Sequence, residues 1–136
     1  MATLQEAIDR VQALVGALSD IREAPDEPPE TMAVFPFAVA YALRGRWDFP
    51  SASWAIGYHT IILELHVARV DLARDVQQSM AYSESIPNAL IGDITLNSTV
   101  DTITSISYTY GPLGWGDVKT FGWRYEIEVK QKRAVT

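Results

Sequence analysis

His59 and His66 are the only imidazoles in the chain, and they invite a metal-binding or proton-transfer reading. Both fall on a predicted strand from Tyr58 to Val67, seven residues apart, and an odd separation sends them to opposite faces. They cannot jointly hold one ion within a chain, and each reads as a strand-surface or interface histidine. Glu64 and His66 do share a face, and a carboxylate beside an imidazole could support proton transfer; an exposed polar strand face explains the same pair. Asp71 and Asp75, four apart, would present two carboxylates on one helix side, but Arg74 beside them makes a solvated face the simpler account. The turn Gly111-Pro112-Leu113-Gly114-Trp115-Gly116 lacks the Lys-Ser/Thr ending of a phosphate loop. No dinucleotide fingerprint or nucleophile elbow occurs, and no serine has a histidine and an acid arranged locally around it. Cysteine is absent, which excludes a disulfide framework, a thiolate nucleophile, an iron–sulfur cluster and cysteine-ligated zinc. We therefore expect no catalytic residues, no metal and no cofactor.

The elements that would position these residues belong to one domain spanning 1–136, long enough to bury a core without staples. The net charge of −6 is uneven: residues 1–30 hold seven acids against two bases, whereas Lys119–Thr136 holds five bases against two acids. An acidic chain lacks the broad basic footprint of a general nucleic-acid binder, and the basic end reads as a solvated tail. No apolar run approaches the length of a membrane span, and the first residues lack the basic region of a signal peptide.

Thr3-Leu4-Gln5-Glu6 has capping-box spacing, and Leu4, Ile8, Val11, Leu14, Val15 and Leu18 form one stripe, which predicts a helix over 1–21. Residues 22–33 follow as an acidic, proline-rich linker: Asp26, Glu27 and Glu30 sit among Pro25, Pro28 and Pro29. A hairpin is predicted over 34–67. Its first strand turns Phe35, Phe37, Val39, Tyr41 and Leu43 one way and Ala38, Ala40 and Ala42 the other. Such a strand wants cover on both sides, and the alanine face would let a helix or another subunit approach closely. Gly45–Gly57 reads as a loop carrying Trp47, Phe49 and Trp54. Two helices are expected over 71–91, the first from Asp71 through Leu72, Val76 and Met80, the second around Pro87 with the proline in its first turn. A second hairpin is expected over 102–130. Ile103 falls out of phase with Ile106, Tyr108 and Tyr110, which predicts a bulge or a late start. Phe121, Trp123, Tyr125, Ile127 and Val129 alternate with polar residues in the clearest strand. The fold class is α+β: a four-stranded antiparallel sheet with an N-terminal helix and a central helix pair packed on it.

Large rings in loops pack back on the sheet or meet a partner, and tryptophan is enriched at interfaces. We expect Trp47, Trp54 and Trp115, with Ala38, Ala40 and Ala42, to serve association.

As an order of parts the chain resembles the tail terminator (tail completion) proteins of long-tailed bacteriophages. The resemblance rests on the amphipathic first helix, the acidic connection, the strand Phe35-Pro36-Phe37-Ala38-Val39-Ala40-Tyr41 and the return Tyr58-His59-Thr60-Ile61-Ile62-Leu63-Glu64-Leu65. It continues through Asp71-Leu72-Ala73, Ile91-Gly92-Asp93-Ile94-Thr95-Leu96 and a Gly-rich turn before the last strand. The tryptophan-rich segment 45–57 and the basic end Lys130–Arg133 depart from that pattern. The resemblance implies a structural virion protein of the tail and neck, made in the host cytoplasm. It would form a homohexameric ring that ends tail-tube polymerisation and joins a tail tube protein to a head–neck connector protein. DNA would pass through it without sequence-specific binding, and no membrane would be involved. Another neck or head-completion ring protein is the alternative in the same class. A small enzyme or ligand-binding domain using Glu64, His66 and the Trp-lined loop is the alternative from a different class.

Overall fold

The computed structural model describes residues 3–18, 37–69, 79–115 and 118–134. Helix α1 spans Leu4–Gly16, strands β1 and β2 span Phe37–Asp48 and Trp54–Arg69, and a 3-10 turn at Ser79–Ala81 leads into helix α2, Tyr82–Ile91. Strands β3, Thr102–Trp115, and β4, Val118–Ala134, complete the chain. All neighbouring strands are antiparallel, in the order β1-β2-β4-β3. The α+β class and the four-stranded sheet are as expected. The central helix pair is inexact: one α-helix and a 3-10 turn are described, and the helix expected from Asp71 lies outside the described residues. The acidic stretch holding Asp26, Glu27 and Glu30 lies outside them too.

Helix α1 starts where the cap predicts, with the Thr3 hydroxyl accepting the Glu6 backbone N–H at 3.2 Å. Its stripe buries Ala7, Ile8, Val11 and Val15 against one face of the sheet. That face presents Ala38 and Ala40 from β1, Ile61, Leu63 and Leu65 from β2, and Trp123, Tyr125, Ile127 and Val129 from β4. Helix α2 adds Tyr82, Ile86 and Leu90 to the same layer, at four-residue steps. Pro87 is the sixth residue of α2 rather than a first-turn residue, so it removes one interior helix donor. Each fully buried aliphatic side chain in this layer contributes about 1.5–3 kcal/mol. Phe37, Val39, Ile62, His66 and Thr120, on the opposite sheet face, are also buried, so the first part of β1 is covered on both sides as its composition requires.

Both hairpins run further than the turn residues suggest. β1 continues to Asp48 and β2 begins at Trp54, so most of the expected loop 45–57 is strand and only residues 49–53 connect. A register shift between Ala42 and Arg44 lets the ladder continue. Gly45 and Gly57 make room there for rings: an added Cβ would come within 2.5 Å of His59 and 2.8 Å of Trp47, respectively. Likewise β3 runs through the glycines to Trp115, which pairs with Val118, in place of the turn expected at 111–116. The out-of-phase Ile103 is explained by a bulge, because the β3–β4 register shifts between Ile103 and Ser105.

Candidate functional site

Two places gather chemistry-bearing side chains. The first is a buried polar chain on the sheet face away from the helices. The His66 Nε2 lies 3.0 Å from Glu64 Oε1, and its Nδ1 lies 2.5 Å from the Thr120 hydroxyl. The Tyr41 hydroxyl donates to the other Glu64 oxygen. The strand ladder sets these contacts: Val39 pairs with Glu64 and Phe37 with His66. Glu64 in turn pairs with Arg124 on β4. Burial by itself would raise the Glu64 pKa. Hydrogen bonds from His66 and Tyr41, with the charges of His66 and Arg124, outweigh it and hold the carboxyl below its ordinary value. Burial, then the hydrogen bond and charge of Glu64, push the Tyr41 hydroxyl up to about 12, against the opposing charge of Arg124.

Glu64 and His66, paired by sequence spacing, therefore do touch. Thr120, which reasoning from spacing missed, completes a hydroxyl–imidazole–carboxylate order that resembles a nucleophile–base–acid series. His66 and Thr120 are both 0% exposed, and neither lines the surface cleft beside Arg46 or the one beside Ser107. The arrangement joins β1, β2 and β4 by hydrogen bonds that satisfy buried polar groups. His59 lies on the opposite face, as its odd separation from His66 requires, with its ring edge-on to Trp47 at 5.2 Å. Burial lowers the His59 pKa; a hydrogen bond with Gln131 opposes this and the Arg133 charge adds to it. No group of three or more metal-ligating side chains occurs among the described residues.

The second place is the far end of the sheet, where the β1–β2 hairpin extends beside the end of β4. Every residue from Ala42 to Trp54 is exposed. Lys132 Nζ stands 4.3 Å from the Trp54 ring centroid, the Arg46 guanidinium 4.6 Å from that of Tyr58, and the Arg133 guanidinium 5.1 Å from that of Trp47. Phe49 is 69% exposed at the tip. A cleft of about 470 Å³ opens here, lined by Arg44, Arg46, Tyr58, Thr60, Thr104 and Glu128. The Lys132–Trp54 and Arg46–Tyr58 pairs share one sheet face and the Arg133–Trp47 pair lies on the other, with His59, so cations stand over aromatic rings on both sides of this end.

The expected interface residues thus separate. Trp47 and Trp54 lie at this exposed end. Ala38 and Ala40 are 0% and 2% exposed within the chain, because α1 occupies the side of the alanine face that a second subunit would have needed. Ala42 is exposed, and the Trp115 side chain lies outside the described residues. Sequence spacing also missed a third cluster, in which Trp123 packs beneath Tyr110 at 4.6 Å and Tyr108 at 5.3 Å. The Tyr125 hydroxyl there donates to the Tyr82 carbonyl at 2.7 Å. Burial, then the neighbouring Tyr108 and Tyr82, raise the Tyr125 pKa.

No protein-family model matches the chain, and no curated protein matches it in sequence.

Proposed function

We propose that the protein is a structural assembly subunit that closes into a ring, acting as a phage tail terminator: the ring caps the tail tube, ends its growth and joins it to the neck. The observation that carries this reading is the pair of sheet edges. β1 and β3 are the two outer strands, of 12 and 14 residues, and the antiparallel order makes them run in opposite directions. One copy's β3 can therefore extend the antiparallel ladder from the next copy's β1 without reversing either chain. Long open edges are an aggregation hazard unless something covers them, and head-to-tail pairing covers both with the same contact. A repeated contact of that kind makes a closed ring when its rotation closes.

The number six comes from the resemblance to tail terminators. Six four-stranded sheets would supply about 24 strands; at a spacing of ~4.8 Å the circumference is roughly 115 Å and the diameter roughly 37 Å. Strand tilt widens such a barrel further. In this reading the protein is not an enzyme, it needs no cofactor, and DNA passes through. Its partners are a tail tube protein and a neck connector, and it ends in the virion. Hydrogen exchange tests the edge contact. Outer-edge amides of β1 and β3, except that of Ile103, which already donates to the Ile94 carbonyl at 2.9 Å, should exchange fast in dilute protein and become protected together on concentration. Edge amides that stay unprotected in an assembled species would sink the proposal.

A further inference from the structure

Two irregularities of the sheet fall at the same level. The β1–β2 register shifts between Ala42 and Arg44, opposite Ile61 and Thr60. The β3–β4 register shifts between Ile103 and Ser105, opposite Val129 and Glu128. Thr60 and Glu128 are themselves partners across β2 and β4, so both outer strands are bulged on either side of one row. A bulge bends its strand and re-aims a side chain, and bulges gather beside active sites. The cleft of about 470 Å³ opens over this row. Thr60, short and nearly buried, lies there between the longer, exposed Arg44 of β1 and Glu128 of β4. Thr104, the residue that the β3 bulge inserts, lines the cleft beyond Glu128, and its hydroxyl donates to the Glu128 carbonyl at 3.2 Å. Arg46 and Tyr58, one row further along, complete the lining, with the guanidinium 4.6 Å from the ring centroid.

The charges around this row are not spent on one another. Arg44 makes no ion pair among the described residues, and two strand spacings, about 9.6 Å, separate its backbone from that of Glu128. Arg46 meets Asp48 at 3.3 Å, but both side chains are exposed, and such a pair holds weakly. Glu128 accepts the Ser105 hydroxyl at 2.8 Å through one carboxylate oxygen and has capacity for further donors. We infer that the cleft is a binding site for a small phosphorylated sugar, its phosphate on Arg44 and Arg46 and its hydroxyls on Thr60 and Glu128. Two guanidinium groups against one carboxylate favour an anion, and the planar guanidinium fork matches phosphate oxygens in pairs. The carboxylate and the threonine hydroxyl, across the row, suit the hydroxyls of the sugar, since Glu128 only accepts and Thr60 both donates and accepts. The Tyr58 ring already carries the Arg46 guanidinium, which disfavours a nucleobase stacked there. The volume falls within the roughly 300–1,000 Å³ of small-molecule sites. The net charge of −6 disfavours a nucleic acid, whose repeated phosphates would meet the rest of the surface. All of these residues belong to one chain, so the site does not depend on the ring.

Calorimetric titration of the full-length chain tests the site, with glucose 6-phosphate, glucose and inorganic phosphate as probes. Glucose 6-phosphate should bind about tenfold or more tightly than either glucose or phosphate, because each of those lacks half of the contacts. Arg44→Gln should weaken glucose 6-phosphate and phosphate alike, by about tenfold or more, the loss of a charge-assisted hydrogen bond. Glu128→Gln should weaken glucose 6-phosphate and leave phosphate unweakened, since it removes an acceptor for the sugar and a charge that repels the anion. Both residues are exposed, so the melting temperature should not move. Neutralising the chain's own acids with Asp26→Asn, Glu27→Gln and Glu30→Gln should leave the affinity unchanged. No binding of glucose 6-phosphate, or binding no tighter than that of glucose, would overturn the inference. So would an Arg44→Gln chain that binds as wild type does, or an oligo-dT strand that binds more tightly than the sugar phosphate. Binding that appears only when the acids at 26, 27 and 30 are neutralised would seat that acidic run in the cleft and overturn it too.

Discussion

Glu64 Oε1 lies 3.0 Å from His66 Nε2 with both side chains almost wholly buried, and the Tyr41 hydroxyl holds the same carboxylate from the neighbouring strand. A carboxyl whose pKa is depressed by folding contributes stability that is fully present above its unfolded value. That contribution is lost as pH falls through the folded value. The melting temperature of wild type should exceed that of Glu64→Gln near neutrality by the equivalent of about 1–3 kcal/mol, the cost of disturbing a buried charged hydrogen bond. The gap should close as pH drops below the ordinary value of 4.5. Tyr41 acts in the other direction: its raised pKa gives stability that is present below 10 and is lost as pH rises through about 12. Melts of wild type, Glu64→Gln and Tyr41→Phe across pH would show both limbs. A gap independent of pH would mean that Glu64 does not carry its charge in the fold.

Glycine at 122 is required by contact rather than by backbone angle. A Cβ there would stand 1.9 Å from the Leu65 carbonyl oxygen, on the neighbouring strand beside the shift in register between His66 and Ala68. Gly122→Ala should cost more than about 3 kcal/mol, since backbone atoms must move. Gly92, at φ −63 with no neighbour nearer than 3.4 Å, is the control. Gly92→Ala should be stabilising by about 0.4–1 kcal/mol in urea denaturation, through reduced freedom of the unfolded chain.

Leu96, Asn97 and Ser98 take three successive left-handed conformations, with φ of 49, 57 and 64. Local bonds hold this turn: the Asp93 carboxylate accepts the Asn97 N–H at 3.0 Å, and the Thr95 hydroxyl accepts that of Ser98 at 3.2 Å. Arg10 pairs with Asp93 at 2.7 Å and ties the turn to α1. Its hydrogen bond, then that of Asn97, lowers the Asp93 pKa. Left-handed conformations cost roughly 1–2 kcal/mol per non-glycine residue, so exposed Ser98→Gly should raise stability by about 0.5–1 kcal/mol. Thermal melting checks the sign; a loss of stability would mean that the turn is not strained at this residue.

Ala40→Arg gives the sharpest contrast between strand pattern and structure. Period-two spacing alone suggests a variant that folds but cannot assemble. With Ala40 2% exposed and in the core beside α1, the variant should lose its cooperative melt altogether, because a guanidinium would enter an apolar layer without a partner. A folded Ala40→Arg chain, seen as a native melt, would contradict the packing of α1 on β1.

What could be read from the residues was local. The Thr3 cap, the alternation in β2 and β4, the bulge after Ile103 and the opposite faces of His59 and His66 all follow from neighbours a few positions apart. The extent of the hairpins did not, because glycines at 45, 57, 111 and 114 look like turns. In the sheet two of them accommodate His59 and Trp47 instead. Nor could spacing reveal Thr120 beside His66, or Lys132 over Trp54, since each pair is joined only by the register of β4 on β2. Burial of the alanine face was undecidable for the same reason: a helix and a neighbouring subunit ask for the same small residues.

Self-association into a closed ring is tested most directly by the mass of the full-length chain in solution. Light scattering coupled to size separation, run over a wide range of protein concentration, should reach a plateau at six times the 15.1 kDa chain. A folded chain that stays monomeric throughout, or stops at a dimer made by one edge pairing with itself, would contradict the account.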